Sequence, residues 1–151
     1  MFYSAIGILA VIVLLAENAD VIFRKKAVFR RPVWKPYRNF LFSVLLFYVS
    51  DILWGVFNSI KSAILLYIDT SVIYVLVALG VLAWTKYIVT FFEDKKKIKT
   101  LIISSGWIFA GLVTLLVAIN FFAPVLYTID REGVYSTLFG RYIILSVQAA
   151  A

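Results

Sequence analysis

Residues 39–60 read NFLFSVLLFYVSDILWGVFNSI, a run whose one charge, Asp51, falls near its middle. Crossing the hydrocarbon layer of a bilayer takes roughly 20 predominantly apolar residues in a helix, and this stretch supplies them. The rest of the chain is of the same kind. Of 151 residues, 64% are hydrophobic, 17% aromatic and 15% charged, with a mean hydropathy of +0.99. Ordinary globular domains run nearer 45–50% apolar and about 25% charged. A soluble domain could not hide so much apolar surface, and that class is excluded.

Outward from this run, the chain divides into further apolar segments. One runs from about Phe2 to Phe23, provided the helix continues through Glu17-Asn18-Ala19-Asp20. Others cover about Thr70–Phe92 and Thr100–Phe122, and a last begins near Ser136 and is still apolar at Ala151. The pattern predicts an all-α, polytopic transmembrane bundle with four full spans and the start of a fifth, cut short at the end of the sequence. The first segment lacks a positively charged leader and a small-residue cleavage site, so it reads as a retained helix and not a signal peptide.

Orientation follows from Lys and Arg in the short loops. Arg24, Lys25, Lys26, Arg30, Arg31, Lys35 and Arg38 follow the first segment, and Lys95, Lys96, Lys97 and Lys99 follow the third. Lys61, Arg131 and Arg141 stand on the other side, eleven against three. The N-terminus is therefore expected outside, with both basic loops in the cytoplasm. The net charge of +7 is read as a topology signal with contact to anionic lipid, and no nucleic-acid partner is expected. Pro32 and Pro36 keep the first two helices from merging. Between the fourth and fifth segments, Val125–Ile129 and Val134–Tyr135 flank Asp130-Arg131-Glu132-Gly133, the pattern of a short external β-hairpin.

The chain has no cysteine and no histidine. That removes thiol catalysis, disulfides, iron–sulfur and thiolate metal sites, the commonest general base and the commonest metal ligand. No catalytic site, metal or cofactor is expected. The candidate ligand residues begin with Asp51, since an unpaired charge at mid-span costs roughly 2.5–3.5 kcal/mol on insertion scales. Trp54 and Asn58 share its helix face. Asp51 reads either as a sensing acid or as structural glue to a neighbouring helix. Lys86 either leans toward the depth of Asp51 or snorkels to the interface. Tyr127, Tyr135 and Arg141 are placed at the rim of an outer cavity beneath the hairpin, which reads either as a lid that closes over it or as a plain structured turn. Gly106, Ala110, Thr114 and Ala118 form a small-residue row on the fourth helix, a packing face within the monomer or between subunits.

Three stretches carry a resemblance: FLFSVLLFYVSDILWGV with Asp51, YIDTSVIYVLVALGVLAWTKYIVTFF with Trp84–Tyr87, and INFFAPVLYTIDREGVYSTLFGRYIIL with Asn120, Pro124, Ile129-Asp130, Gly133 and Tyr135. Together the chain resembles the N-terminal seven-helix membrane region ahead of bacterial GGDEF (diguanylate cyclase) domains and its relatives in sensor histidine kinases. The resemblance implies that residues 1–151 are a sensor-like membrane domain, cut before helices six and seven and a cytoplasmic output domain. It also implies an unknown small-molecule ligand and a homodimer in the bilayer. No GGDEF catalytic motif occurs here, so any cyclase activity belongs to a longer chain. The competing class is a small multi-pass transporter or channel subunit using Asp51 and Lys86. A purely structural assembly subunit is a third reading.

Overall fold

Long apolar stretches without internal proline propagate as helices, because in hydrocarbon every backbone N–H and C=O must be satisfied within the segment. The structure, a computed structural model, describes residues 2–23, 33–92, 95–130 and 132–150. Five helices form: α1 (Phe2–Phe23), α2 (Trp34–Ser59), α3 (Ala63–Ile88, prolonged by a 3-10 turn at Val89–Phe91), α4 (Lys96–Asn120) and α5 (Phe139–Ala150). Two short strands, β1 (Tyr127–Ile129) and β2 (Tyr135–Thr137), lie between α4 and α5. The stretches Ser4–Phe23, Trp34–Ser59, Ala63–Phe91 and Lys96–Asn120 are each long and apolar enough to cross a membrane. This is a multi-pass helical membrane protein. The 12 residues of α5 reach about 18 Å at 1.5 Å per residue, short of the roughly 30 Å a span requires.

Three helices begin earlier than the sequence suggests, α4 at Lys96 and not Thr100 among them. α2 starts at Trp34 and not Asn39, because Pro36 falls in its first turn, where a missing N–H costs nothing. α3 starts at Ala63 and not Thr70, so the α2–α3 connection is only a tight turn. Lys61 takes a left-handed φ of 52° there. Its N–H reaches the Asn58 carbonyl and the Ser62 N–H reaches the Phe57 carbonyl, both at 3.2 Å. These two bonds are the Schellman ending of a helix, which satisfies otherwise orphaned carbonyls.

α1 continues to Phe23 but is interrupted at Asn18 (φ −121°, ψ 16°). The Asn18 side chain donates to the Leu14 carbonyl at 3.1 Å and accepts from the Tyr37 hydroxyl of α2 at 2.7 Å. Glu17 and Asp20 are exposed. Of the first basic loop, Arg24, Lys25, Lys26, Arg30, Arg31 and Pro32 lie outside the described residues, as does Arg131 in the hairpin turn.

The core lies between α3 and α4 and is closed at one end by β1. Ala78, Leu82, Phe109, Ala110, Val113, Val117, Leu126, Tyr127 and Ile144 are buried together. Outward-facing residues are also apolar: Ile6, Leu101 and Ile108 are 73%, 70% and 70% exposed, as suits a hydrocarbon solvent. The four-residue row on α4 divides. Gly106 and Ala110 are buried, whereas Thr114 and Ala118 are exposed. A strict four-residue step drifts around a helix of 3.6 residues per turn, so packing passes from Ala110 to Val113 and Val117 instead.

Candidate functional site

The α2–α3 pair is stitched by two polar contacts along its seam. The Trp54 indole donates to Thr70 Oγ1 at 3.2 Å, and the Ser50 hydroxyl donates to Asp69 Oδ1 at 2.7 Å. On the Trp54 side of the seam lies a cavity of about 420 Å³. Phe47, Asp51 and Trp54 of α2 form one wall, and Thr70, Ile73, Tyr74 and Val77 of α3 a second. Tyr135 of β2 and Arg141, Ile144 and Leu145 of α5 complete it. Binding cavities are commonly of this kind, apolar and aromatic with a few convergent polar groups. Here one carboxylate and one guanidinium face a space bounded by four aromatic rings. Trp54 meets Tyr135 edge to face, with ring centroids 6.3 Å apart. On the far side of Asp51, a Cβ added to Gly7 would lie 3.6 Å from Asp51 Oδ2, so α1 closes that flank.

Beneath the cavity sits Tyr127. It is fully buried and its ring stacks on Tyr74 at 5.8 Å with 6° between planes. Its hydroxyl donates to the Tyr67 carbonyl at 2.9 Å and shares a hydrogen bond with Ser71. Burial, offset in part by Ser71, pushes the Tyr127 phenol up to about 12, so it stays protonated at neutral pH. Tyr127 is thus an anchor of the hairpin and not part of a rim. The register pairs Tyr127 with Thr137, Thr128 with Ser136 and Ile129 with Tyr135.

A second anchor of the hairpin is one amide. Asn120, at the end of α4 and 4% exposed, accepts from the backbone N–H of Val125 at 2.8 Å, Leu126 at 2.7 Å and Tyr127 at 3.4 Å. Its Nδ2 donates to the Tyr67 hydroxyl and the Tyr127 carbonyl, each at 3.2 Å. Asp130 organises the turn by accepting from Glu132 and Val134 N–H at 2.9 and 2.8 Å. Gly133 takes φ 79°, and a Cβ there would lie 3.5 Å from Lys61 Cα. The hairpin tip therefore rests on the α2–α3 turn.

Of the residues singled out from the sequence, Asp51, Trp54, Tyr135 and Arg141 meet at one cavity, with Tyr127 under its floor. Asn58 is exposed and does not line the cavity. Lys86 stands away from Asp51. Nine residues beyond Val77, about 14 Å along α3, its Nζ lies 4.9 Å over the Trp107 ring of α4, a cation–π contact. Thr70, Tyr74 and the Ser50–Asp69 pair were not anticipated. Asp69 was overlooked because the third span was drawn from the residue after it. No family model, curated protein or solved structure matches this chain.

Proposed function

We propose that this chain is the sensory membrane module of a bacterial signalling protein. Its N-terminus lies outside the plasma membrane, and it controls a cytoplasmic output domain, cyclic-di-GMP synthesis or a histidine kinase, in a longer homodimeric protein. One observation carries the reading: the cavity joins Asp51 inside a span to Tyr135 on the hairpin and Arg141 on α5. A ligand bridging these groups contacts both the fixed α2–α3 pair and the element that leads onward along the chain. A stimulus shifts an equilibrium only through unequal affinity for two arrangements, and here those arrangements differ in where β2 and α5 sit. β1, β2 and the start of α5 are tied together by the strand pairing and by the Leu138 and Gly140 N–H groups on the Leu126 and Val125 carbonyls. The moving part is therefore the hairpin with α5 as one unit. The channel alternative loses its second charge, since Lys86 pairs with Trp107 away from the cavity.

The reading predicts that the reading frame beyond Ala151 encodes further spans and then a signalling domain. A frame that stops there without one overturns it. In the full-length protein, Asp51→Asn is expected to insert and fold while weakening the response by roughly tenfold or more, the scale of a lost charged hydrogen bond. Asp51→Leu should abolish the response. Parent-like signalling by both variants removes Asp51 from the site.

Orientation has its own test in this cysteine-free chain. With Glu132→Cys and Lys97→Cys, both at exposed positions, an impermeant thiol reagent on intact cells should label position 132 and spare position 97. The reverse pattern inverts the topology.

A further inference from the structure

A second cavity, about 370 Å³, opens between α2 and α3 at the end of the pair opposite their connecting turn. Lys35, in the first turn of α2, and Lys86, in the last turn of α3, both line it, with Asn39 and Ser43 further in. Among the described residues no carboxylate lines it. Two cations facing one space without a counter-charge repel each other, so the groove favours an anion. Its depth in the bilayer follows from the numbering. Lys35 stands 26 residues before Lys61 and Lys86 25 residues after it, roughly 37–39 Å along each helix and past the roughly 30 Å of hydrocarbon. The rings around them agree. Trp34 lies 6.4 Å from Tyr37, Tyr37 5.1 Å from Tyr87 and Tyr87 5.6 Å from Trp84, a band of the residue types that mark the headgroup layer.

We infer that this groove seats the headgroup of an anionic phospholipid of the phosphatidylglycerol kind, independently of what the Asp51 cavity binds. The lipid phosphate supplies only acceptors, and the groove offers two lysine side chains and the Asn39 amide as donors. Lys86 is already held by the Trp107 ring, 4.9 Å from its Nζ, so less ordering falls to the lipid. A zwitterionic headgroup fits less well, because its own cationic end meets two lysines. The tail follows from the stripe below the charges. Leu46 and Leu79 lie seven residues from Asn39 and Lys86, two turns on along the same helix faces, and are 53% and 47% exposed. A soluble phosphate gains nothing from that stripe, whereas a lipid lays an acyl chain along it.

The test is native mass spectrometry of the chain in detergent micelles, reading the first bound lipid with dioleoyl phosphatidylglycerol or dioleoyl phosphatidylcholine added. Phosphatidylglycerol should bind roughly tenfold tighter or more. Lys35→Gln with Lys86→Gln should weaken its binding roughly thirtyfold, about fivefold for each lysine, and arginine at both positions should retain it. Lys96→Gln with Lys97→Gln removes as much charge from exposed positions outside the groove, and should weaken binding by less than about threefold. Ala83→Trp fills the groove and keeps both charges, so it should weaken binding as the paired glutamines at 35 and 86 do. Soluble glycerol 3-phosphate should not compete. Equal affinity for the two lipids, equal losses from the two double-glutamine variants, binding unchanged by Ala83→Trp, or competition by glycerol 3-phosphate overturns the proposal.

Discussion

Replacing Asn120 by alanine is expected to cost about 3–5 kcal/mol and to release the hairpin from the bundle, the range in which a buried hydrogen-bond hub fails. The reason is one of counting. Asn120 Oδ1 serves three successive backbone N–H groups, those of Val125, Leu126 and Tyr127. Leu126 and Tyr127 are both fully buried, so water does not replace the lost acceptor there. Each donor stranded in such a place costs about 1–3 kcal/mol. The Tyr67 hydroxyl and Tyr127 carbonyl also lose their donor. Unfolding in mixed micelles would report the loss, and amide exchange at Val125–Tyr127 together with protease nicking near Glu132 would locate it. Asn120→Asp keeps the acceptor and should lose less. A cost under about 1 kcal/mol for the alanine variant would mean that strand packing alone seats the hairpin. The Asp51 cavity depends on the answer, since Tyr135 reaches it only through this hairpin.

The spans were legible in the sequence because hydrocarbon leaves a membrane helix so few alternatives. Their ends were less so. Beginning the third span at Thr70 leaves out the apolar run Ala63–Ile68 and, with it, Asp69. The corrective signal is in the numbering. In an antiparallel pair joined by a tight turn near Ile60–Lys61, residues equally distant from the turn face one another. Ser50 then falls opposite Thr70 or Ser71, within a residue or two of Asp69. Two acids placed almost symmetrically about Lys61 were a sign of a polar seam. The convergence of Asp51, Trp54, Tyr135 and Arg141 was readable from chain order, because a hairpin after α4 must return over the mouth of the bundle. That Tyr127 turns inward and leaves the rim was not, because strands of three residues have too little alternation to fix a register. The two readings of Lys86, toward Asp51 or toward the interface, stayed open because the lean of a helical side chain gives direction along the axis but not which neighbour it meets, here Trp107.

The second large effect belongs to Gly106, where α4 packs directly against Thr85 of α3. A Cβ at Gly106 would stand 2.5 Å from Thr85 Oγ1, 3.1 Å from its Cγ2 and 3.2 Å from its Cβ. Thr85 has little room to yield. It is β-branched and stiff at χ1, and its hydroxyl is committed to the Leu82 carbonyl at 2.9 Å. The helices must part, and between membrane helices close packing is a main source of association. Gly106→Ala is expected to destabilise by about 1–3 kcal/mol, the usual cost of overpacking, and Gly106→Leu by more. Thr85→Ala removes the atoms in the way. The double variant Gly106→Ala with Thr85→Ala should therefore recover most of the loss, a coupling of about 1–2 kcal/mol between touching sites. Gly111, one turn on, is the control. An added Cβ there meets nothing within 4 Å, so Gly111→Ala should be neutral or gain up to about 1 kcal/mol from helix propensity. If Gly106→Ala and Gly111→Ala behave alike, the α3–α4 contact at Gly106 is not what holds the core. The exposed half of the row, Thr114 and Ala118, then separates the two uses assigned to it. Leucine at both positions should leave the monomer's stability unchanged, and a change in dimer population measured by cross-linking would place the subunit contact on that half of α4.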